Sequence, residues 1–123
     1  MATNQFKRFT FPYARNATAS LAGTDLVNDG FRGVKVFINV NSVSGGNVTV
    51  NIQQKAPLAD SDTYSTILSS ASLTSTGLTV LTVYPGVTAT ANVSVSDVLP
   101  TTWRITSTAA ATIDYSISFC YIP

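Results

Sequence analysis

Histidine and glutamate are both absent from the sequence, and cysteine occurs once, at Cys120. The lack of histidine removes the commonest general base and metal ligand, and it leaves Cys120 without an imidazole to activate it. A hydrolase with paired carboxylates would need two of the 6 aspartates to converge, and no spacing favours any pair. We therefore predict a protein that is not an enzyme, with no catalytic, cofactor-binding or metal-binding residue and no cofactor.

Charge is also scarce, since charged residues make up 11% of the chain and the formal net charge is +1. Soluble proteins usually carry about 25% charged residues, whereas serine and threonine supply about a quarter of this chain. A polar surface with little electrostatic self-repulsion suits a subunit packed among copies or partners. The alternative is a β-rich domain with threonine on its solvent-facing strands, because threonine favours strands in any case.

The 123 residues contain no apolar run of the length that a membrane span needs, and the first residues lack the pattern of a signal peptide. A single cysteine forbids an intramolecular disulfide and implies no oxidising compartment. We expect one soluble domain that is made in a cytoplasm and does not bind a membrane.

Two alternating runs lie on either side of a glycine pair, Gly45 and Gly46. Valine and isoleucine occupy every second position in residues 34–40 and again in 48–52. This spacing predicts a β-hairpin with one buried face and a turn over residues 44–46.

Alternation is clearest near the end of the chain, where apolar residues 113, 115, 117, 119 and 121 leave Cys120 on the opposite face. Trp103 and Ile105 share a face in the same way. No window has helical periodicity, and strand signals recur between glycine and proline turns. We predict an all-β fold, an antiparallel two-sheet β-sandwich of about 7–8 strands with a Greek-key or jelly-roll path. A small barrel is the second choice.

The first 16 residues differ from the rest and are interpreted as an extended N-terminal arm (1–16) before the sandwich domain (17–123). They concentrate aromatic and basic side chains, and Pro12 argues against a central strand. The arm could dock on a neighbouring subunit, or it could be an edge strand that closes the domain's own core. Nucleic-acid binding is disfavoured because the cations are few and the net charge is low. The candidate docking residues are Phe6, Lys7, Arg8, Phe9, Phe11, Tyr13 and Arg15.

Three short patterns extend through the domain: V-x-I-Q-x-K-x-P over residues 50–57, V-x-P-G over 83–86 and L-P-x-x-W-R over 99–104. With Tyr64, they resemble small β-sandwich proteins encoded among the virion structural genes of tailed bacteriophages, of the capsid decoration or minor capsid type. The resemblance covers about residues 31–122 and includes no active-site signature.

The resemblance implies a non-enzymatic structural protein that binds and stabilises the capsid lattice, located on the capsid surface of a virion and made in the cytoplasm of a host bacterium. Its partners would be the major capsid protein or other virion proteins. Further copies of the chain are also expected as partners, with a trimer as the guess. The alternative is a tail module that contacts a receptor or a glycan through exposed aromatics such as Tyr64 and Tyr84.

Overall fold

The computed structural model describes residues 10–57 and 62–123, and all of the regular elements in these two ranges are β-strands. The all-β prediction is therefore confirmed. The described residues include no helix that is long and apolar enough to cross a membrane. The strands are β1 (Thr10–Ala17), β2 (Leu26–Val27), β3 (Gly33–Pro57), β4 (Asp62–Ser69), β5 (Gly77–Val83), β6 (Ser94–Val95) and β7 (Thr102–Ile122).

These strands form a single sheet in the order β1-β7-β3-β5-β6, with β2 added to β7 and β4 added to β3. All pairs are antiparallel except β5 and β6, which run parallel. The predicted two-sheet antiparallel sandwich is not confirmed, because hydrogen bonding is continuous through one mixed sheet. The physical reason is the length of two strands. β3 has 25 residues and β7 has 21, so each runs through both halves of the sheet.

The predicted hairpin within residues 34–52 is wrong. Residues on both sides of the glycine pair belong to β3, which pairs with β7 along most of its length, from Gly33 opposite Ile122 to Gln54 opposite Trp103. Alternation did not reveal this, because a hairpin and one long strand bury every second residue alike. The register irregularities at 40–42 and 44–45 each add one residue to β3, so even-numbered residues face inward on both sides.

The glycine pair marks a bend of β3 rather than a turn between two strands. Gly45 has a positive φ of 71°, and a Cβ on Gly46 would lie 2.5 Å from the Thr112 carbonyl oxygen. The opposing segment of β7 bends at Ala111, which has a φ of 57°. The two bends lie opposite each other, so the paired strands β3 and β7 fold over together.

Contacts between distant residues of β7 show how far the sheet bends. Trp103 Nε1 donates a hydrogen bond of 3.2 Å to the hydroxyl of Tyr121, although a straight strand would separate these residues by about 60 Å. The Ser107 and Tyr115 hydroxyls are 2.6 Å apart. The two halves of the sheet therefore face each other and enclose the core between them.

The core consists mainly of inward-facing residues from β3 and β7. The predicted shared face of Trp103 and Ile105 is confirmed, since both side chains are fully buried. Cys120 lies half-buried on the face opposite the buried Phe119 and Tyr121, as predicted from the alternation. The largest fully buried side chains are Trp103, Tyr115, Ile38, Ile52, Leu81, Ile105 and Ile117.

Residues 10–16 of the predicted arm belong to β1, which pairs antiparallel with the last part of β7. The pairing begins at Thr10 opposite Cys120 and has irregularities between residues 12 and 14 and between 14 and 17. β1 thus crosses the predicted boundary at residues 16–17 and is an edge strand of the same sheet. The first nine residues of the arm lie outside the described residues.

We predict that Gly46→Ala lowers the free energy of unfolding by about 1–3 kcal/mol, the range found for overpacked sites. The added methyl group would meet the carbonyl oxygens of Thr112 and Ala110, which are fixed in the β7 backbone at 2.5 and 2.6 Å. Urea denaturation followed by Trp103 fluorescence would measure the change.

The matched control for this substitution is Gly45→Asn. No atom lies within 4 Å of a Cβ at Gly45, and asparagine tolerates its positive φ. We expect a change within about 0.5 kcal/mol. Equal losses of stability in the two variants would contradict the conclusion that the close approach of the β7 carbonyls requires glycine at position 46.

Candidate interaction surface

A groove of about 610 Å³ lies between β1 and the segment that leads into β2. Its lining is mainly apolar and comes from the edge strand, the 21–26 segment and one residue of β7. The bend of the sheet creates this groove, because β1 and β2 pair with opposite ends of β7 and approach each other without pairing. We call it the β1 groove; its main lining residues are Phe11, Pro12, Tyr13, Leu21, Leu26 and Phe119.

Tyr13 fixes one wall of the β1 groove. Its hydroxyl donates a 2.7 Å hydrogen bond to the carbonyl of Ile105, in the opposite half of the sheet. The same oxygen accepts a 3.0 Å hydrogen bond from the backbone N–H of Thr24. Tyr13 therefore ties β1 to both β7 and the 21–26 segment, so its position is set by this domain's own fold.

Phe11 contacts the core but remains partly open to solvent. Its ring centroid lies 5.4 Å from that of Phe119 and 5.8 Å from that of Tyr121, and 39% of the residue is exposed. A second, smaller groove of about 210 Å³ continues from it past Leu26 to Val27, which is 69% exposed. Phe11 and Val27 thus form an exposed apolar patch beside the β1 groove.

The seven predicted docking residues do not all lie on one surface. Phe11 and Tyr13 line the β1 groove, whereas Arg15 is exposed on the other face of the sheet, in a groove lined also by Phe37 and Leu78. Phe6, Lys7, Arg8 and Phe9 lie outside the described residues. For residues 11 and 13 the geometry favours the edge-strand alternative, and docking on a neighbour stays a prediction.

A polar cluster on the outside of the sheet joins the 21–26 segment to β3, β4 and β7. Asp25 accepts hydrogen bonds of 2.8 Å from the Lys55 ammonium and 2.6 Å from the Tyr64 hydroxyl. The Arg104 guanidinium stacks 3.4 Å above the centroid of the Tyr64 ring and donates from Nε to the Gln53 side-chain carbonyl at 2.8 Å. We call this group the Asp25 cluster.

The hydrogen bonds in the Asp25 cluster shift two pKa values in opposite directions. The donors Lys55 and Tyr64 hold the pKa of the Asp25 carboxyl below its ordinary value. The bond to the Asp25 carboxylate raises the pKa of the Tyr64 hydroxyl. Both shifts widen the pH range over which Asp25 is charged and Tyr64 is protonated, the forms in which these bonds exist.

Sequence reasoning missed the Asp25 cluster although it had singled out most of its members. Gln53 and Lys55 belong to the V-x-I-Q-x-K-x-P pattern and Arg104 to the L-P-x-x-W-R pattern, and Tyr64 was noted beside them. Asp25 belongs to none of these patterns. The strand pairing that brings these residues together is long-range, so no local signal could have located the cluster.

The Asp25 cluster fits a structural role better than a chemical one. It contains one carboxylate and two cations, and the carboxylate is already engaged by two donors. Among the described residues, no three side chains of the types histidine, cysteine, aspartate and glutamate group closely enough to hold a metal ion. What the arrangement does is pin the 21–26 segment, and with it one wall of the β1 groove.

No protein-family model, curated protein or solved structure matches this chain.

We predict that Asp25→Asn destabilises the fold at pH 7 and that the difference from the wild type disappears in acid. A carboxylate with a lowered folded-state pKa contributes stability above its unfolded value of about 4, and this is lost as the pH falls through the lowered value. Urea denaturation of both proteins between about pH 7 and pH 2 would measure the difference.

Asp29→Asn is the control, since it removes a carboxylate from a nearby exposed turn outside the cluster. We expect it to leave the pH dependence of the wild type in place. A loss in Asp25→Asn that stays constant down to pH 2 would contradict the charge-based account.

Proposed function

We propose that this protein is a non-enzymatic structural protein of a tailed-phage virion, of the decoration or minor capsid type, which binds and stabilises the capsid lattice. The proposal begins from the resemblance of the three sequence patterns to that group. It treats the two facing halves of the bent sheet as the counterpart of the two-sheet sandwich that the resemblance implies. The proposed partner is the major capsid protein.

The observation that supports binding is the apolar surface formed by the β1 groove and the patch of Phe11 and Val27. Contiguous exposed apolar surface of this kind marks interaction sites in soluble proteins. Tyr13 and the Asp25 cluster hold the walls of the groove in place. The surface is therefore preorganised, and binding of a partner would cost little conformational entropy.

The chemistry of the partner follows from the sequence that precedes β1. Residues 6–9 contribute two aromatic side chains and the cations Lys7 and Arg8. An apolar segment of the capsid protein, flanked by carboxylates, would complement both the groove and these charges. A specific contact of this sort needs about 1,000 Å² of buried surface or more, which the groove and the arm would supply together.

The tail or glycan-contacting alternative has less support from the side chains on which it relied. One face of the Tyr64 ring is covered by Arg104 and its hydroxyl is bound to Asp25, so only the other face could stack on a sugar. The Tyr84 hydroxyl donates to the Pro123 carbonyl at 3.2 Å. Both side chains are already engaged in contacts within the fold, and the capsid proposal is therefore preferred.

The first test is Val27→Asp. We expect capsids lacking the wild-type copy to retain this variant poorly, because the substitution places a charge in the proposed contact. Its melting temperature should stay close to that of the wild type, since the side chain is exposed. Sedimentation of capsids mixed with purified protein, followed by quantification of the bound chain, would measure retention.

Val93→Asp is the matched control, since Val93 is 48% exposed in the turn before β6 and lines neither the β1 groove nor the grooves beside Val27 and Arg15. Retention equal to the wild type is expected for it. Equal loss in both variants, or loss in neither, would contradict the assignment of the contact to the β1 groove and its patch. A count of this chain relative to the capsid protein in purified particles would separate a capsid location from a tail location.

A pair of deletions tests the arm. Removing residues 2–9 should leave the melting temperature nearly unchanged, because the whole of β1 (Thr10–Ala17) is kept. Removing residues 2–15 should lower it strongly, because the contacts of Phe11 and Tyr13 with the core are lost. Calorimetry measures both values.

The docking hypothesis further expects the shorter deletion to weaken capsid retention. Full retention without residues 2–9 would restrict the contact to the β1 groove and remove Phe6, Lys7, Arg8 and Phe9 from it.

A further inference from the structure

The edge strands of the sheet differ in how well they are protected against pairing with another strand. An edge strand exposes backbone donors and acceptors, and proteins usually protect such edges by shortness, proline, charge or irregularity. β2 and β6 have two residues each, so neither offers a ladder of any length. β1 carries Pro12 and Arg15 and is irregular at two places.

β4 lacks most of these protections. It is eight residues long, and after its first residue, Asp62, it contains no proline and no charged residue. Among the described residues, β4 pairs only with β3, so that its other edge has no strand partner there. Thr63, Ser65 and Thr66 are exposed, and the irregularity of the ladder comes after them, between Thr66 and Leu68.

The exposed part of β4 is also rigidly held. Tyr64 is bound to Asp25 and covered by Arg104, and Thr66 accepts a 3.2 Å hydrogen bond from the Gln53 amide. A strand that is already ordered loses little conformational entropy when a second strand pairs with it. The edge is thus prepared for strand addition in the absence of any partner.

We propose that β4 pairs with β4 of a second copy of this chain across a two-fold axis, which joins the two sheets into one. The occupant follows from charge, because residues 63–69 are uncharged and antiparallel self-pairing about Ser65 opposes no like charges. Two-fold contacts use the same surface on both partners, and they close after two copies. Such a dimer would form from purified chains whether or not the protein belongs to a virion.

The test uses the purified full-length chain. Sedimentation equilibrium over a concentration series should show a monomer–dimer equilibrium, and Ser65→Lys should raise the dissociation constant at least about tenfold, because two ammonium groups would lie close together at the axis. Thr108→Lys is the control, since it adds the same charge at an exposed position of β7, a strand with neighbours on both sides. It should dimerise like the wild type.

A second measurement covers the case in which Ser65→Lys fails to fold. Single cysteines at Thr63, Ser65 and Thr66, each in a Cys120→Ser background, should form a covalent dimer on mild oxidation, with the highest yield nearest the axis. Facing residues of antiparallel strands lie about 4.5–5.5 Å apart, within the range of a disulfide. Thr108→Cys in the same background should remain monomeric under denaturing, non-reducing conditions.

Several outcomes would overturn the proposal. A wild type that is monomeric at all concentrations excludes the contact, and a trimer excludes a two-fold axis as the organising symmetry. A Ser65→Lys variant that folds and dimerises normally, or cysteines on β4 that cross-link no better than Thr108→Cys, moves the interface elsewhere.

Discussion

The fold depends on one constraint, which is that β3 and β7 must bend together. Each strand contributes inward-facing apolar residues from both of its halves, and these can share one core only when the paired strands fold over. Burying a valine or isoleucine side chain is worth about 1.5–3 kcal/mol, so the many fully buried residues of β3 strongly favour the bent form. Gly46 permits the bend, because only glycine lets the backbone approach the β7 carbonyls there.

The bend also determines where polar groups are needed. Tyr115 and Tyr121 face the core, and burial raises the pKa of each hydroxyl because it disfavours the charged form. Both hydroxyls donate to carbonyls outside the paired strands β3 and β7. Tyr115 donates to the carbonyl of Ala19, and Tyr121 donates to that of Val27. Among the described residues, no buried side-chain nitrogen or oxygen lacks a hydrogen-bond partner. These bonds hold the segment over residues 19–27 against the sheet, and that segment forms one wall of the β1 groove.

The β1 groove and the exposed edge of β4 therefore have the same structural origin. The Asp25 cluster holds the 21–26 segment from outside, the tyrosine hydroxyls hold it from inside, and the β1 groove is the gap left between it and β1. The cluster also orders Tyr64 on β4, which connects the wall of the groove to the exposed edge of the sheet. Residues of the three sequence patterns thus act first as scaffold, and binding is proposed at the surfaces they position.

The strand class, the inward and outward faces and most of the core can be predicted from the sequence, because alternation along a strand is a local property. Trp103 beside Ile105 and Cys120 opposite the aromatic row illustrate this. That the chain on both sides of Gly45 and Gly46 is one strand is visible only in the fold, since a hairpin and a bent strand bury the same residues. The β1 groove and the Asp25 cluster likewise join residues far apart in the chain, such as Tyr13 with Ile105 and Asp25 with Tyr64. Their positions follow from strand pairing between distant segments, which local sequence does not encode.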